Sequence, residues 1–196
     1  MISQNQRDVE NKKDEFKRVK ANLMLRITDI TAGGAPVTDI YNSIGSVEQL
    51  GAKATWNMNW KTLLGNNYDR YSVFGIRLNV FGAVASNWST ANAAGYPNQV
   101  ASIQMSGLNW VNNGYNAASQ TNTGRCVLAT TTIATGVASF QVFPSATAEA
   151  FFSRPGQYDP VTIELFQTVS NTYIVPTGTT AAIPQYVLLF DIYPVY

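Results

Sequence analysis

Beyond its first 20 residues the chain carries eight carboxylates: Asp29, Asp39, Glu48, Asp69, Glu149, Asp159, Glu164 and Asp191. A facing pair of such groups could cleave a glycosidic bond, one as acid and one as base or nucleophile. These eight are scattered singly, mostly at strand ends or turns, which is the pattern of solvated or salt-bridged surface. The chain has no histidine. That removes Ser–His and Cys–His activation of a nucleophile, and it removes imidazole metal sites. The single cysteine, Cys126, forms no internal disulfide and no thiolate zinc cluster, and its place at a strand start reads as a small buried residue. Neither phosphate-binding glycine pattern, G-x-x-x-x-G-K-[ST] or G-x-G-x-x-G, occurs. "TAGGAP" lacks both a lysine and a following helix and reads as a turn. No catalytic, cofactor-binding or metal-ligating residue is expected.

The four tryptophans offer a different chemistry, stacking against sugar rings. Trp56 and Trp60 share an alternating face with Met58, which fits a core stripe better than a sugar platform. Trp88 lies in the loop "ASNWSTANAAGYPN" and is the best single candidate for a partner contact. Asn87-Trp88-Ser89 is also the one glycan-acceptor triplet, a frequent chance match in a chain whose start shows no apolar signal region.

The elements that would position these residues read as strands. "AKATWNMNW" (52–60) puts Ala54, Trp56, Met58 and Trp60 on one face and Thr55, Asn57 and Asn59 on the other. "YSVFGIRLNVFGAV" (71–84) predicts a long strand with Phe74, Ile76, Leu78 and Val80 between two sheets. Val73, Gly75, Arg77, Asn79 and Phe81 then face outward. Further strands are predicted over 21–30, 99–111, 125–134, 138–143, 147–153, 161–169 and 185–195. Residues 40–50 hold at most a short turn, and no helical pattern of credible length follows. Many strands, Gly/Pro/Asn turns and no intervening helices predict an all-β antiparallel sandwich or barrel. About eight strands with long loops, and no Cys–Trp–Cys framework, favour a single eight-stranded jelly roll over an immunoglobulin-like sandwich.

Charge divides the chain unevenly. Of 13 basic and 12 acidic side chains, ten lie in residues 1–20. The expected division is therefore an N-terminal charged arm with a leading strand (1–45) and a jelly-roll domain (46–196). The arm, "QRDVENKKDEFKRVKANL" (6–23), spaces Val9, Phe16, Val19 and Leu23 close to one helical face. So thin a stripe does not hold a helix in water, and the arm needs a surface to dock on, expected on a partner chain or an inner shell layer. Its six bases stand against four acids. A genome-neutralising arm is densely basic, so direct nucleic-acid binding is not expected.

In the body only 13% of the whole chain's residues being charged becomes still sparser, against roughly 25% in an ordinary soluble domain. Such a surface suits a protein used up in contacts with neighbours. The pattern resembles viral capsid proteins of the jelly-roll lineage. "NWKTLLGNNYDRYSVFGIRLNVFGA" (59–83) looks like an early strand, a turn and the long following strand of the single-jelly-roll penton proteins of large icosahedral DNA viruses. "PVTIELFQT" and "QYVLLFDIYPV" look like the late strands of the same roll.

The resemblance implies a structural protein without enzymatic activity or a small-molecule substrate, found in the virion capsid and assembled inside the host cell. Its partners would be copies of itself in a ring, most simply a pentamer, and neighbouring capsid proteins. Arg70 and Arg77, on the outer sheet or at its end, would meet a neighbouring subunit, as would Val9, Phe16, Val19 and Trp88. Within the lineage the other choice is a small coat protein building a whole shell, against which the weakly basic arm counts. A lectin-like or receptor-binding jelly roll is another, supported by "NWSTANAAGYPN" and "NWVNNGYNAASQTN", which set aromatics beside Asn in loops. A glycan-active β-sandwich enzyme ranks last. No stretch approaches the roughly 18 apolar residues of a membrane helix.

Overall fold

The computed structural model describes residues 20–27, 42–48, 52–84, 98–111, 115–116, 121–122, 124–134, 140–143, 145–167, 172–173 and 186–195. Val9, Phe16, Val19 and Trp88 lie outside the described residues. Among those described, period-two stretches form strands because alternation lets one face be buried while the other meets solvent. The longer strands are β1 (Ala21–Ile27), β2 (Asn42–Glu48), β3 (Lys53–Met58), β4 (Val73–Val84) and β5 (Asn98–Ser106). A two-stranded ribbon, β6 (Tyr115–Asn116) with β7 (Thr121–Asn122), follows. Then come β8 (Cys126–Ala134), β9 (Phe140–Phe143), β10 (Ser145–Thr147), β11 (Glu149–Ser153), β12 (Val161–Gln167), β13 (Thr172–Tyr173) and β14 (Tyr186–Pro194).

Two antiparallel sheets result. The first runs β1-β14-β4-β11, with β9 also pairing β4. The second runs β10-β8-β5-β12-β3-β2, with β13 on β12. The all-β antiparallel sandwich expected from the sequence is therefore present. Residues 21–27 and 42–48 are built into opposite sheets, and the expected division at residues 45 and 46 falls inside β2.

The core lies between the sheets and is strongly aromatic. Leu23, Leu25, Phe74, Ile76, Leu78, Phe190 and Ile192 of the first sheet meet Ala54, Trp56, Met58, Ile103, Met105, Ile163 and Leu165 of the second. Trp56 crosses the layer to Tyr186 with ring centroids 6.5 Å apart. Phe152 touches Trp60, Phe74 and Trp110 at 5.7, 5.9 and 5.8 Å. Trp56, Trp60 and Trp110 thus belong to the core.

The phenol of Tyr186 is fully buried, and its hydroxyl has no hydrogen-bond partner among the described residues. Burial pushes its pKa upward. Leaving a buried hydroxyl unpaired costs about 1–3 kcal/mol. Tyr186→Phe, which keeps the ring, is expected to stabilise the fold by about 1 kcal/mol. Comparing urea denaturation midpoints of the two proteins checks this.

Several sequence expectations are corrected. The alternation in β4 does not run through its length. Leu189 pairs with Val80 but Phe190 pairs with Leu78, so Asn79 is an extra, bulged residue. The bulge exchanges the faces beyond it: Phe81 and Ala83 turn inward and Val80 is half-buried. A similar bulge at Leu128 of β8 lets Leu128 and Ala129 both face the core. Residues 42–48 are strand β2, not a short turn. Leu23, placed on the arm's helical stripe, is a buried residue of β1. The single strand expected over 147–153 is two, β10 in the second sheet and β11 in the first, with Ala148 at the crossing.

Two short helices interrupt the expected run of strands. α1 (Trp60–Leu64) starts where the Asn59 side chain accepts from the Thr62 N–H at 3.1 Å, and it stops at Gly65, whose φ is +54°. α2 (Asn67–Arg70) follows at once. Trp60 therefore opens a helix instead of ending a strand, yet it is buried, and its Nε1–H donates to the Asp159 carbonyl at 2.8 Å.

Candidate functional site

The outer face of the first sheet is where chemistry-bearing side chains converge. Register does this. Asp191 of β14 stands opposite Arg77 of β4, and Arg77 stands opposite Glu149 of β11. Lys20, just before β1, reaches Asp191 with Nζ 3.4 Å from Oδ2. Cation, anion, cation and anion thus alternate across four neighbouring strands. Cross-strand pairs of opposite charge each contribute a few tenths to about 1 kcal/mol and oppose register slip. Arg77 Nε also donates to Thr147 Oγ1 at 3.4 Å, tying this face to β10 at the sandwich edge.

Tyr193 completes the cluster, and a glycine makes that possible. Gly75 lies between Tyr193 of β14 and Phe151 of β11 in the pairing. With no side chain there, the Tyr193 ring lies across β4: a Cβ on Gly75 would sit 2.3 Å from Tyr193 Cζ. The Tyr193 hydroxyl then donates to Glu149 Oε1 on the far strand in a short hydrogen bond. Burial pushes the Tyr193 phenol up most, and the bond to Glu149 and its negative charge push the same way, while Arg77 pulls it down.

Beside this cluster lies an open-sided groove of about 310 Å³, walled by Lys20, Glu149, Phe151, Tyr193, Pro194 and Val195. Its lining mixes apolar residues with one ammonium and one carboxylate.

Two other clusters complete the inventory of charged groups. On the outer side of the second sheet, Arg125 holds Glu164 through Nε–Oε2 at 2.5 Å and Nη2–Oε1 at 3.1 Å. The guanidinium lies 5.2 Å from the centre of the Phe166 ring. At one end of the sandwich, α1, α2 and the 154–160 turn meet. There Tyr68 donates to the Pro155 carbonyl at 2.9 Å, and Arg154 reaches over the Tyr68 ring.

Of the sequence-predicted contact residues, Arg70 and Arg77 are both exposed but stand on different elements. Arg70 ends α2 at the tip of the sandwich, and Arg77 sits mid-strand among carboxylates. Asp69, Glu164 and Asp191 are salt-bridged, to Lys61, Arg125 and Lys20. Sequence reasoning missed that Glu149 and Asp191 flank one arginine. They lie 42 positions apart by number, and only antiparallel pairing to a common strand unites them. The glycine at 75 inside a long apolar strand was a signal that could have been read as close approach of a ring.

Chemically this face is matched, with Arg77 between the two carboxylates and a phenol on one of them. Among the described residues no group of three or more Cys, Asp or Glu side chains could hold a metal ion. No helix among them is long and apolar enough to cross a membrane. No protein-family model matches the chain, and no curated protein matches it.

Proposed function

We propose that the chain is a structural capsid protein, a single jelly roll of the penton type that closes into a ring of five copies at an icosahedral vertex. The observation that carries this reading is the nesting of the strand pairs. Eight strands, taken in chain order, are β1, β3, β4, β5, β8, β11, β12 and β14, with β2 added outside β3 at the edge of the second sheet. They pair first with last (β1–β14), second with seventh (β3–β12), third with sixth (β4–β11) and fourth with fifth (β5–β8). Successive pairs belong alternately to one sheet and to the other. A long hairpin of paired strands, wound upon itself, would have this connectivity, and this supports the jelly-roll reading.

The described residues form one such arrangement of strands. The charges described on both outer faces are largely matched within the chain, by Lys20–Asp191 and by Arg125–Glu164. The rest of the surface is rich in uncharged residues, and repeated burial against identical neighbours is what keeps such a surface from open-ended association. The same burial covers strand edges that would otherwise pair at random. Arg70 and Arg77 are the proposed subunit contacts among the described residues, and neighbouring capsid proteins are the proposed outer partners.

Light scattering on the purified chain tests the reading. A particle five times the chain mass is expected, with little change between low and high salt, since few ion pairs between copies are involved. A chain that stays monomeric at high concentration, and whose density is missing from the vertices of the intact particle, overturns it. Saturable binding on a glycan array by the monomer would instead favour a receptor- or carbohydrate-binding module.

A further inference from the structure

The groove beside Tyr193 has an occupant within reach. Lys20, one of its walls, is also the residue at which the arm leaves the first sheet. Phe16 is four positions from Lys20, a span of at most about 14 Å even when fully extended. Phe151 and Val195 give the groove half-buried apolar lining, and Lys20 and Glu149 give it one cation and one carboxylate. The nearby arm sequence, "FKRV" (16–19), matches this in kind: Phe16 and Val19 are apolar, and Lys17 and Arg18 between them are cations.

We propose that the N-terminal arm folds back onto this groove of its own chain, with Phe16 and Val19 seated against Phe151 and Val195. Lys17 or Arg18 then faces the Glu149 carboxylate. Tethering makes this docking unimolecular. A tether of a few residues holds the segment at an effective concentration in the millimolar range, so contacts too weak to bind a free peptide suffice to order an attached one. The arm's thin apolar stripe requires a surface; in place of the partner chain or inner shell layer expected from the sequence, this groove, lined by Lys20, offers one on the chain itself. In a ring of copies, the outer face of the first sheet would then present an arm-covered surface in place of a bare groove. The proposal does not depend on the ring, because it concerns one chain.

Two measurements on the full chain test it. In the first, Lys17→Cys is combined with Val195→Cys, leaving Phe16 and Val19 in place, and the protein is mildly oxidised. A disulfide within one chain is expected, seen as a monomer band on a non-reducing denaturing gel and as a linked peptide pair by mass spectrometry. A ladder of dimers, or two thiols still open to alkylation, overturns the proposal. The single-cysteine variants control for the native Cys126, which is buried. In the second, Phe16→Asp with Val19→Asp is followed by hydrogen exchange. Peptides covering 149–153 and 193–195 are expected to exchange about tenfold faster, with those covering β5 and β8 unchanged. Unchanged exchange at 149–153 and 193–195 overturns the proposal. Both variants alter residues outside the two sheets or at their rim, so the ring's mass can be measured on the same samples. Loss of docking with the ring retained separates this proposal from the one on assembly.

Discussion

Replacing Phe152 by alanine is expected to cost about 4 kcal/mol of folding stability, the largest single effect of any substitution considered for this chain. The ring is fully buried on β11. It lies 5.7 Å from Trp60, 5.9 Å from Phe74 and 5.8 Å from Trp110, centroid to centroid. Those three neighbours belong to α1, to β4 and to the isolated bridge after β5, so the ring ties three separate segments to one point. Truncation removes its transfer free energy and leaves a cavity that large rigid rings cannot collapse to fill. Each aromatic pair adds about 0.5–1.5 kcal/mol beyond burial. The control is Val142→Ala on β9. Val142 is 62% exposed, and its truncation should stay within about 0.5 kcal/mol of the parent. Urea denaturation at one fixed protein concentration, so that assembly contributes equally, gives both values. A loss below about 1 kcal/mol for Phe152→Ala would remove the aromatic cluster from the account of stability.

Arg125→Ala is expected to cost about 2–3 kcal/mol, for a different reason. Glu164 points to the outer side of the second sheet, yet it is only 1% exposed, because the Arg125 side chain covers it. Removing the guanidinium takes away two charge-assisted contacts and the cover over Phe166 together. What remains is a carboxylate on a poorly solvated face, and breaking a buried pair from one side typically costs about 3–5 kcal/mol. The smaller figure here reflects that the arginine side chain is itself one-third exposed. Lys53, which stands opposite Glu164 in the pairing with β3, also tempers the loss. The double variant Arg125→Ala with Glu164→Gln should recover about half of the stability lost, since the uncompensated charge is gone. A cycle of the two single variants and the double, measured by the same denaturation, gives the coupling. Additive effects would mean the pair is ornamental and the arginine acts through packing alone.

These two side chains mark different depths of legibility in the sequence. Phe152 sits in "AEAFFS", where a strand over 147–153 was readable, though not which of its faces is buried. The same kind of local reading identified Ala54, Trp56 and Met58 as core, and it identified the strand that became β14. Nothing local marked Glu164 as covered. Its neighbours in sequence are those of any half-exposed strand, and its cover comes from Arg125, 39 positions away.

Composition and alternation by themselves determined the class of the protein: a charge-poor, all-β chain with antiparallel strands and with Trp56 and Trp60 turned inward. They determined it because hydrophobic periodicity is a property of adjacent residues and survives without knowledge of partners. Tertiary structure decided the rest. The bulge at Asn79, which turns Phe81 inward, depends on how β4 fits β14, since an extra residue is visible only against a paired strand. α1 depends on a cap at Asn59 and on the pull of Trp60 into the core, which outweighed an alternation that continued through residue 60. The row of Lys20, Asp191, Arg77 and Glu149 exists only because β1 and β14, at opposite ends of the chain, pair Ala21 with Ile192. Register between distant strands is fixed by the fit of whole sheets across a common core, and no short stretch of sequence contains both sides of that fit.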